Sequence, residues 1–145
     1  MQDAAVTVTA GDWRTLGAAA ARVRDAVFVR ELQIAAPVLS DEADLDAVHV
    51  VVYRQGDAVA AGRLLPDGAI GRLAVLGPAR RSGIGSLVLR TLIDHAFRRG
   101  DTCVRLYAQR GAVPFYLRHG FATVGRPFYE AGLEHVEMAR PLDEA

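Results

Sequence analysis

Three short runs rich in β-branched and apolar residues, at 48–53, 58–65 and 70–76, are separated by Gln55-Gly56-Asp57 and by Pro66-Asp67-Gly68. Turn residues at those two gaps predict a hairpin followed by a third strand, an antiparallel meander. Ahead of it, residues 13–33 are rich in Ala, Leu and Arg and predict a helix, with Asp12 as N-cap, Gly17 as its weak point and Pro37 beyond its end. Residues 4–9 alternate weakly, as a short edge strand does, and the acidic stretch 40–46 predicts a loop or a short helical turn.

After the meander the period changes. Residues 83–99 place Ile84, Leu87, Val88, Leu92 and Ala96 on one helical face and stop at Gly100. Residues 104–107 form a strand pattern again, so strand, helix and strand predict a right-handed crossover with its two strands parallel. Residues 112–118 predict a short helix that accepts Pro114 in its first turn and ends at His119-Gly120. Two closing strands at 121–124 and 135–139, with a loop around 127–132, complete an α/β sandwich on a mixed sheet.

A length of 145 residues without repeat or linker predicts one domain over residues 1–145. Lys plus Arg and Asp plus Glu balance at 17 each, which argues against nucleic acid or an anionic membrane as principal partner. Cys103 is the single cysteine, so an internal disulfide and a multi-cysteine metal site are excluded; its Thr102-Cys103-Val104 context predicts a small buried side chain. No apolar run approaches the ~20 residues of a membrane span. Met1-Gln2-Asp3 lacks the basic start of a signal peptide, and a soluble cytoplasmic protein, monomer or homodimer, is expected.

The start of the helix at 83–99 inverts the usual charge preference. Helix N-termini attract Asp or Glu, yet Arg80 and Arg81 precede this one and no carboxylate appears before Asp94. An external anion is the natural complement. Gly83 and Gly85 remove Cβ atoms where a phosphate approaches the backbone, and Ser82 can cap the helix or add a donor. A capped helix with two solvated arginines is the plain alternative. A Walker loop would need Lys and Ser or Thr after Gly85, where Ser86-Leu87 stand, and a dinucleotide fingerprint would need Gly or Ala in place of Val88.

Arg80, Gly83 and Gly85 resemble the GNAT superfamily signature: Gln or Arg, two residues, Gly, one residue, Gly or Ala. The later segment from Ala108 to Tyr116, with Gly120-Phe121, is similar to the family's Asn, Ala, Tyr, Gly-Phe pattern, with Gln109 in place of the usual Asn. Val27-Phe28-Val29-Arg30-Glu31, Ile70-Gly71-Arg72-Leu73-Ala74-Val75 and the run from Phe128 to His135 further resemble the ElaA-like branch. The resemblance implies an acyl-CoA-dependent N-acyltransferase on a mixed, mostly antiparallel sheet with helices on both faces and a splayed central strand pair. Acetyl-CoA is the implied co-substrate, with no metal. Leu73, Ala74 and Val75 would bond its pantetheine arm through their backbone. Arg80, Arg81, Ser82, Gly83, Ile84, Gly85 and Ser86 would hold its pyrophosphate, and Gln109, Ala112, Phe115 and Tyr116 would complete the cofactor site.

Transfer from a thioester needs a neutral amine, a stabilised oxyanion and a departing thiolate. A lysine-like amine is neutral in only about one molecule in 10³ at pH 7, a cost of roughly 4 to 5 kcal/mol that a base or a desolvated site must offset. Residues 70–76 hold no carboxylate. Glu31, Glu130 and His135 are the candidate bases, each also readable as a surface group, and a water relay stays open. Within the resemblance, the Val75 N–H is the oxyanion donor and Tyr116 assists the thiolate; Glu31, His49 and Phe128 border the substrate, His49 being readable as structural too. Asp41, Glu42, Asp44 and Asp46 read as a solvated acidic loop or as a lure for a cationic amine. The competing class is a non-catalytic acyl-CoA-binding sensor or interaction module.

Overall fold

The computed structural model describes residues 5–142; the expectation drawn from Met1-Gln2-Asp3 lies outside them. Four strands, β1 (Val6–Gly11), β2 (Val48–Arg54), β3 (Asp57–Leu64) and β4 (Ile70–Val75), form one antiparallel sheet in sequence order. β5 (Cys103–Gln109), β6 (Ala122–Glu130) and β7 (Leu133–Pro141) form a second, in the order β5-β7-β6. Helix α1 (Trp13–Arg24) lies on one face and α2 (Ile84–Arg98) on the other, while α3 (Val113–Arg118) follows β5.

Alternation along the buried strands splits the core in two. Val51, Ala61 and Ala74 point towards α1 and pack with Leu16, Ala20 and Val23. Val50, Val52, Ala60 and Leu64 point the other way, onto Val88, Leu89 and Leu92 of α2. Gly62 is small of necessity, because a Cβ there would lie 2.9 Å from Val88 Cγ1. The predicted N-cap holds: Asp12 Oδ1 accepts the Thr15 N–H at 3.0 Å. No helix among the described residues is long and apolar enough to cross a membrane.

Four expectations are corrected. The predicted helix at 13–33 is α-helical only to Arg24; Asp25–Glu31 continues as a π-helix, with the Leu32 N–H reaching back to the Val27 carbonyl. Val27, Phe28 and Val29 are weak helix formers, and the wider turn sets Val27 and Phe28 against the α1-side core. The loop expected at 127–132 is mostly strand, since a two-residue turn with left-handed Ala131 and Gly132 closes a β6–β7 hairpin. Pro127 is accommodated because it falls in the register irregularity between Val124 and Phe128, where no ladder N–H is required. Cys103 is exposed, not buried, at the start of β5.

The fourth concerns Asp44 of the acidic stretch, which is buried and paired rather than solvated, whereas Glu42 and Asp46 are exposed as expected. Glu42–Asp46 is a 3-10 turn with a reciprocal capping box between Asp41 and Asp44. Asp44 is fully buried. Arg24 grips its carboxylate with two nitrogens, each at 2.9 Å, and Arg63 adds a third bond at 2.9 Å while also reaching Asp41 at 2.7 Å. Burial alone would raise the pKa of Asp44; hydrogen bonds from Arg24, the Asp41 amide and Arg63 overturn that and hold it far below the usual carboxylate range. His49, also fully buried, packs on Trp13 and bonds the Asp44 carbonyl through Nε2 at 2.9 Å. Burial lowers its pKa and favours the neutral ring.

Removing one charge from this buried cluster strands the others, so Asp44→Asn should cost about 3–5 kcal/mol, read from chemical denaturation. Acid should act in two stages. His49, depressed below its ordinary 6.5, contributes stability that begins to fall once the unfolded histidine protonates below about that pH. Asp44, depressed below 3.8, contributes fully above that value and loses its contribution as the pH falls further. Denaturation series from pH 8 to pH 3 should show both losses in the parent, and a flat profile below pH 4 would contradict the role given to Asp44.

Candidate active site

β4 is regular except at one point. Ala61 faces Ala74 and Arg63 faces Gly71, so Arg72 and Leu73 together oppose Gly62 in a β-bulge, with Arg72 at a left-handed φ of 51°. Past the bulge, the Leu76 N–H donates to the Val59 carbonyl at 2.9 Å. Alternation of the antiparallel ladder therefore turns the peptide groups of Val75 away from β3, and its carbonyl accepts Arg80 Nε at 2.9 Å.

On that free side lies β5. Among the described residues, one parallel bridge, Ala69 to Arg105, joins the two half-sheets, reinforced by the Arg105 N–H on the Gly68 carbonyl at 3.1 Å. Beyond it β4 and β5 diverge around a cavity of about 830 Å³. This is the splayed central pair expected from the sequence. Leu73, Ala74 and Val75 line one wall, Leu106, Tyr107, Ala108 and Gln109 the other. Gly85 and Phe115 stand at one end, where a Cβ on Gly85 would meet Val75 Cγ2 at 3.5 Å and Phe115 Cζ at 3.7 Å.

The α2 start adjoins that end. Gly83 is its N-cap at a φ of 82°, with no side-chain cap and no acidic residue in the first turn, so the first N–H groups stay open. Ser82 does not cap: its hydroxyl donates to the Ala79 carbonyl. Ile84 is core, so only its backbone faces the helix end, and Ser86 Oγ pairs with His119 Nε2 at 2.9 Å. Arg81 is exposed. Arg80 lines the cavity and is held in a bidentate pair by Glu31 at 2.6 and 2.7 Å, a contact between the π-helical turn and the α2 approach that sequence spacing does not reveal.

Ala112 and Tyr116 also reach the cavity. The Tyr116 ring packs on Phe115 and Phe121, and burial pushes its pKa up to about 12. Glu130 and His135 line the far side. His135 Nδ1 donates to the Leu133 carbonyl at 2.9 Å, so in the neutral ring Nε2 is the acceptor nitrogen. Phe128 supports rather than lines: it stacks on His135 at 5.7 Å and takes the edge of Tyr107 at 5.6 Å. His49 is not brought to the cleft, because its position in β2 points inward to the Asp44 cluster. Glu31 lies at the rim through its pair with Arg80. The sequence reading missed the wall formed by Val27, Phe28, Ile34 and Val38, and Arg72 beside it. The apolar type of the first four was the available signal, obscured for Val27 and Phe28 by the helix assigned to 13–33.

The family model described as "Acetyltransferase (GNAT) domain" matches residues 13–142. The chain therefore belongs to the GNAT acetyltransferase family, and it is an acyl-CoA-dependent N-acyltransferase. It is 35% identical over 122 residues to the uncharacterised N-acetyltransferase YjcF of Bacillus subtilis, covering 81% of this chain and 87% of that one. Among solved structures it is similar to an acyl-CoA N-acyltransferase from Pseudomonas aeruginosa, with 29% identity, TM-score 0.83 and coverage of 94% and 99%. It is also similar to Escherichia coli ElaA, with 27% identity, TM-score 0.83 and coverage of 94% and 99%. The ElaA-like resemblance of the sequence is thereby borne out.

Glu31 competes with any anion for Arg80. Glu31→Gln should release that guanidinium and raise coenzyme A affinity about 3- to 5-fold, within the modest range of an exposed pair, as measured by calorimetry. A weaker affinity would mean that Glu31 positions Arg80 rather than occupying it.

Proposed function

We propose that residues 1–145 act as a single catalytic domain that moves an acetyl group from acetyl-CoA to a primary amine by direct attack. The observation that supports this best is the free N–H of Val75, which faces a cavity ending at an uncapped helix start. That N–H faces the gap that the pantetheine arm would fill as a missing strand does, with Leu73 and Ala74 beside it, while the Val75 carbonyl is held by Arg80 Nε. The open N–H groups of residues 83–86, with Arg81 beside them and Arg80 shared with Glu31, would hold a pyrophosphate at the helix start. Gln109, Ala112 and Phe115 border the same channel.

In the reaction the amine nitrogen attacks the thioester carbonyl carbon, and the oxygen takes the negative charge against the Val75 N–H, a donor that needs no reorganisation. The C–S bond then breaks and the thiolate leaves beside Tyr116. A pKa near 12 for Tyr116 against about 8.5 for a thiol makes full proton transfer uphill by about 5 kcal/mol, so the phenol acts as a hydrogen-bond donor that stays protonated. His135, through Nε2 of its neutral ring, and Glu130 both line the cavity and are the acceptors for the amine's proton, directly or through water.

Tyr116→Phe should leave acetyl-CoA affinity nearly unchanged and lower kcat about 10- to 10³-fold, with a smaller loss for an activated aryl thioester. His135→Gln should lower kcat/KM at every pH when rates are compared at equal concentrations of neutral amine. Parental turnover of acetyl-CoA in Tyr116→Phe, with chemistry limiting, would make the tyrosine a packing residue. Tight acetyl-CoA binding without thiol release across an amine panel would favour the sensor reading instead.

A further inference from the structure

Arg72 is the residue of the cleft that neither the thioester chemistry nor the fold requires. Its left-handed φ of 51° is strained for a side chain with a Cβ, where glycine would sit freely. The bulge has a directional effect. Ile70, Leu73 and Val75 pack on the α2 side, so the extra residue sends Arg72 to the α1 side, next to the Asp44 cluster and into the cavity wall.

There its charge is poorly matched. Nη2 has one long bond, 3.3 Å to Asp41 Oδ2, and the shared carboxylate is already held by Arg63 at 2.7 Å. Nε is buried without a partner among the described residues, and the side chain is still 31% exposed. Arg24, Arg63 and Arg72 face Asp41 and Asp44, three positive charges against two negative, with His49 neutral. Burial and the repulsion of Arg63 both disfavour the charge on Arg72. A strained, under-paired guanidinium in a net positive corner is completed by an anion from outside. The same cavity is lined on this α1-side approach by the apolar Val27, Phe28, Ile34 and Val38.

We propose that Arg72 binds a carboxylate of the acceptor, so that the substrate class is an amine with an apolar body and a carboxylate. This rests on the reading of the cleft as an acetyl-transfer site. Three residue steps along the strand take Arg72 to Val75, at most about 10 Å between their backbones, so the carboxylate lies several bonds from the reacting nitrogen, as in a hydrophobic dipeptide. A planar carboxylate matches the guanidinium fork in a way that a neutral amide cannot.

The test compares Leu-Leu with Leu-Leu amide, whose terminal amines are alike, on the parent, Arg72→Gln, Arg72→Lys and Arg72→Gly. Turnover with acetyl-CoA is read as kcat/KM, and peptide binding to the coenzyme A-loaded protein by calorimetry. The parent should prefer the acid at least 10-fold, mainly through KM. The Gln and Gly variants should lose that ratio and Lys should keep part of it, while acetyl-CoA affinity stays parental in all three. Arg72→Gly also relieves the backbone strain, so its melting temperature should not fall, which separates substrate binding from folding. Equal use and equal binding of acid and amide by the parent would overturn the proposal, with acetyl transfer to either peptide leaving the reaction reading intact. Carboxylate-dependent binding lost in Arg72→Gln, without any acetyl transfer, would uphold the anion site and sink the acetyl-transfer reading.

Discussion

A single buried carboxylate organises the substrate end of this molecule. Asp44 lies out of water and is stable there because Arg24 and Arg63 meet both of its oxygens. Those partners come from the end of α1 and from β3, so the contact fixes α1 across the sheet and pins the acidic turn beside it. Breaking such a pair is far more damaging than its net contribution suggests, because each remaining charge is stranded in a medium that solvates it poorly. The π-helical turn begins one residue after Arg24. Its register, and with it the wall of Val27 and Phe28, is thus set by where that guanidinium is held.

The cleft arises from an interrupted ladder rather than from a loop. A mixed sheet that closed normally would pair β4 with β5 along their length and leave no space. Here the described residues make one bridge at Ala69 and Arg105 and then diverge, leaving the Val75 N–H unpaired towards the cavity while its carbonyl accepts Arg80 Nε. Unpaired backbone in a partly buried position is costly unless something supplies the missing bonds. The same accounting applies to the α2 start, whose first N–H groups have neither a cap nor an acidic neighbour. Two separate deficits of hydrogen bonding border one elongated space, and an extended ligand with a polar arm and an anionic end answers both.

Much of the fold was legible because it depends on short-range signals. Turn residues marked β2, β3 and β4, and the uncapped start with Ile84, Val88 and Leu92 marked α2. The central wall from Leu73 to Val75 and the positions Gln109, Ala112, Phe115 and Tyr116 were also legible, because two motifs at fixed spacing announced them. What escaped depends on pairing across the chain. Asp44 looked solvated because its partners are 20 and 19 residues away in sequence, on either side. His49 looked available because nothing local shows which way β2 faces. Arg80 gave no hint of Glu31, 49 residues earlier. The lengths of β6 and β7 were hidden by Pro127, a residue that usually ends strands and here occupies a bulge.

The bridge between Ala69 and Arg105 also has a mechanical meaning. Two half-sheets joined at one end form a wedge, and the width of a wedge is governed by its opening angle. Val75 lies six residues from that apex, roughly 20 Å along the strand, so a rotation of about 3° at the bridge moves the two walls by about 1 Å at the reacting end. Catalytic geometry tolerates errors of about that size poorly. Side chains around Gly68, Ala69 and Arg105 therefore set the separation of the two walls through leverage, and substitutions there would be felt at the far end of the wedge.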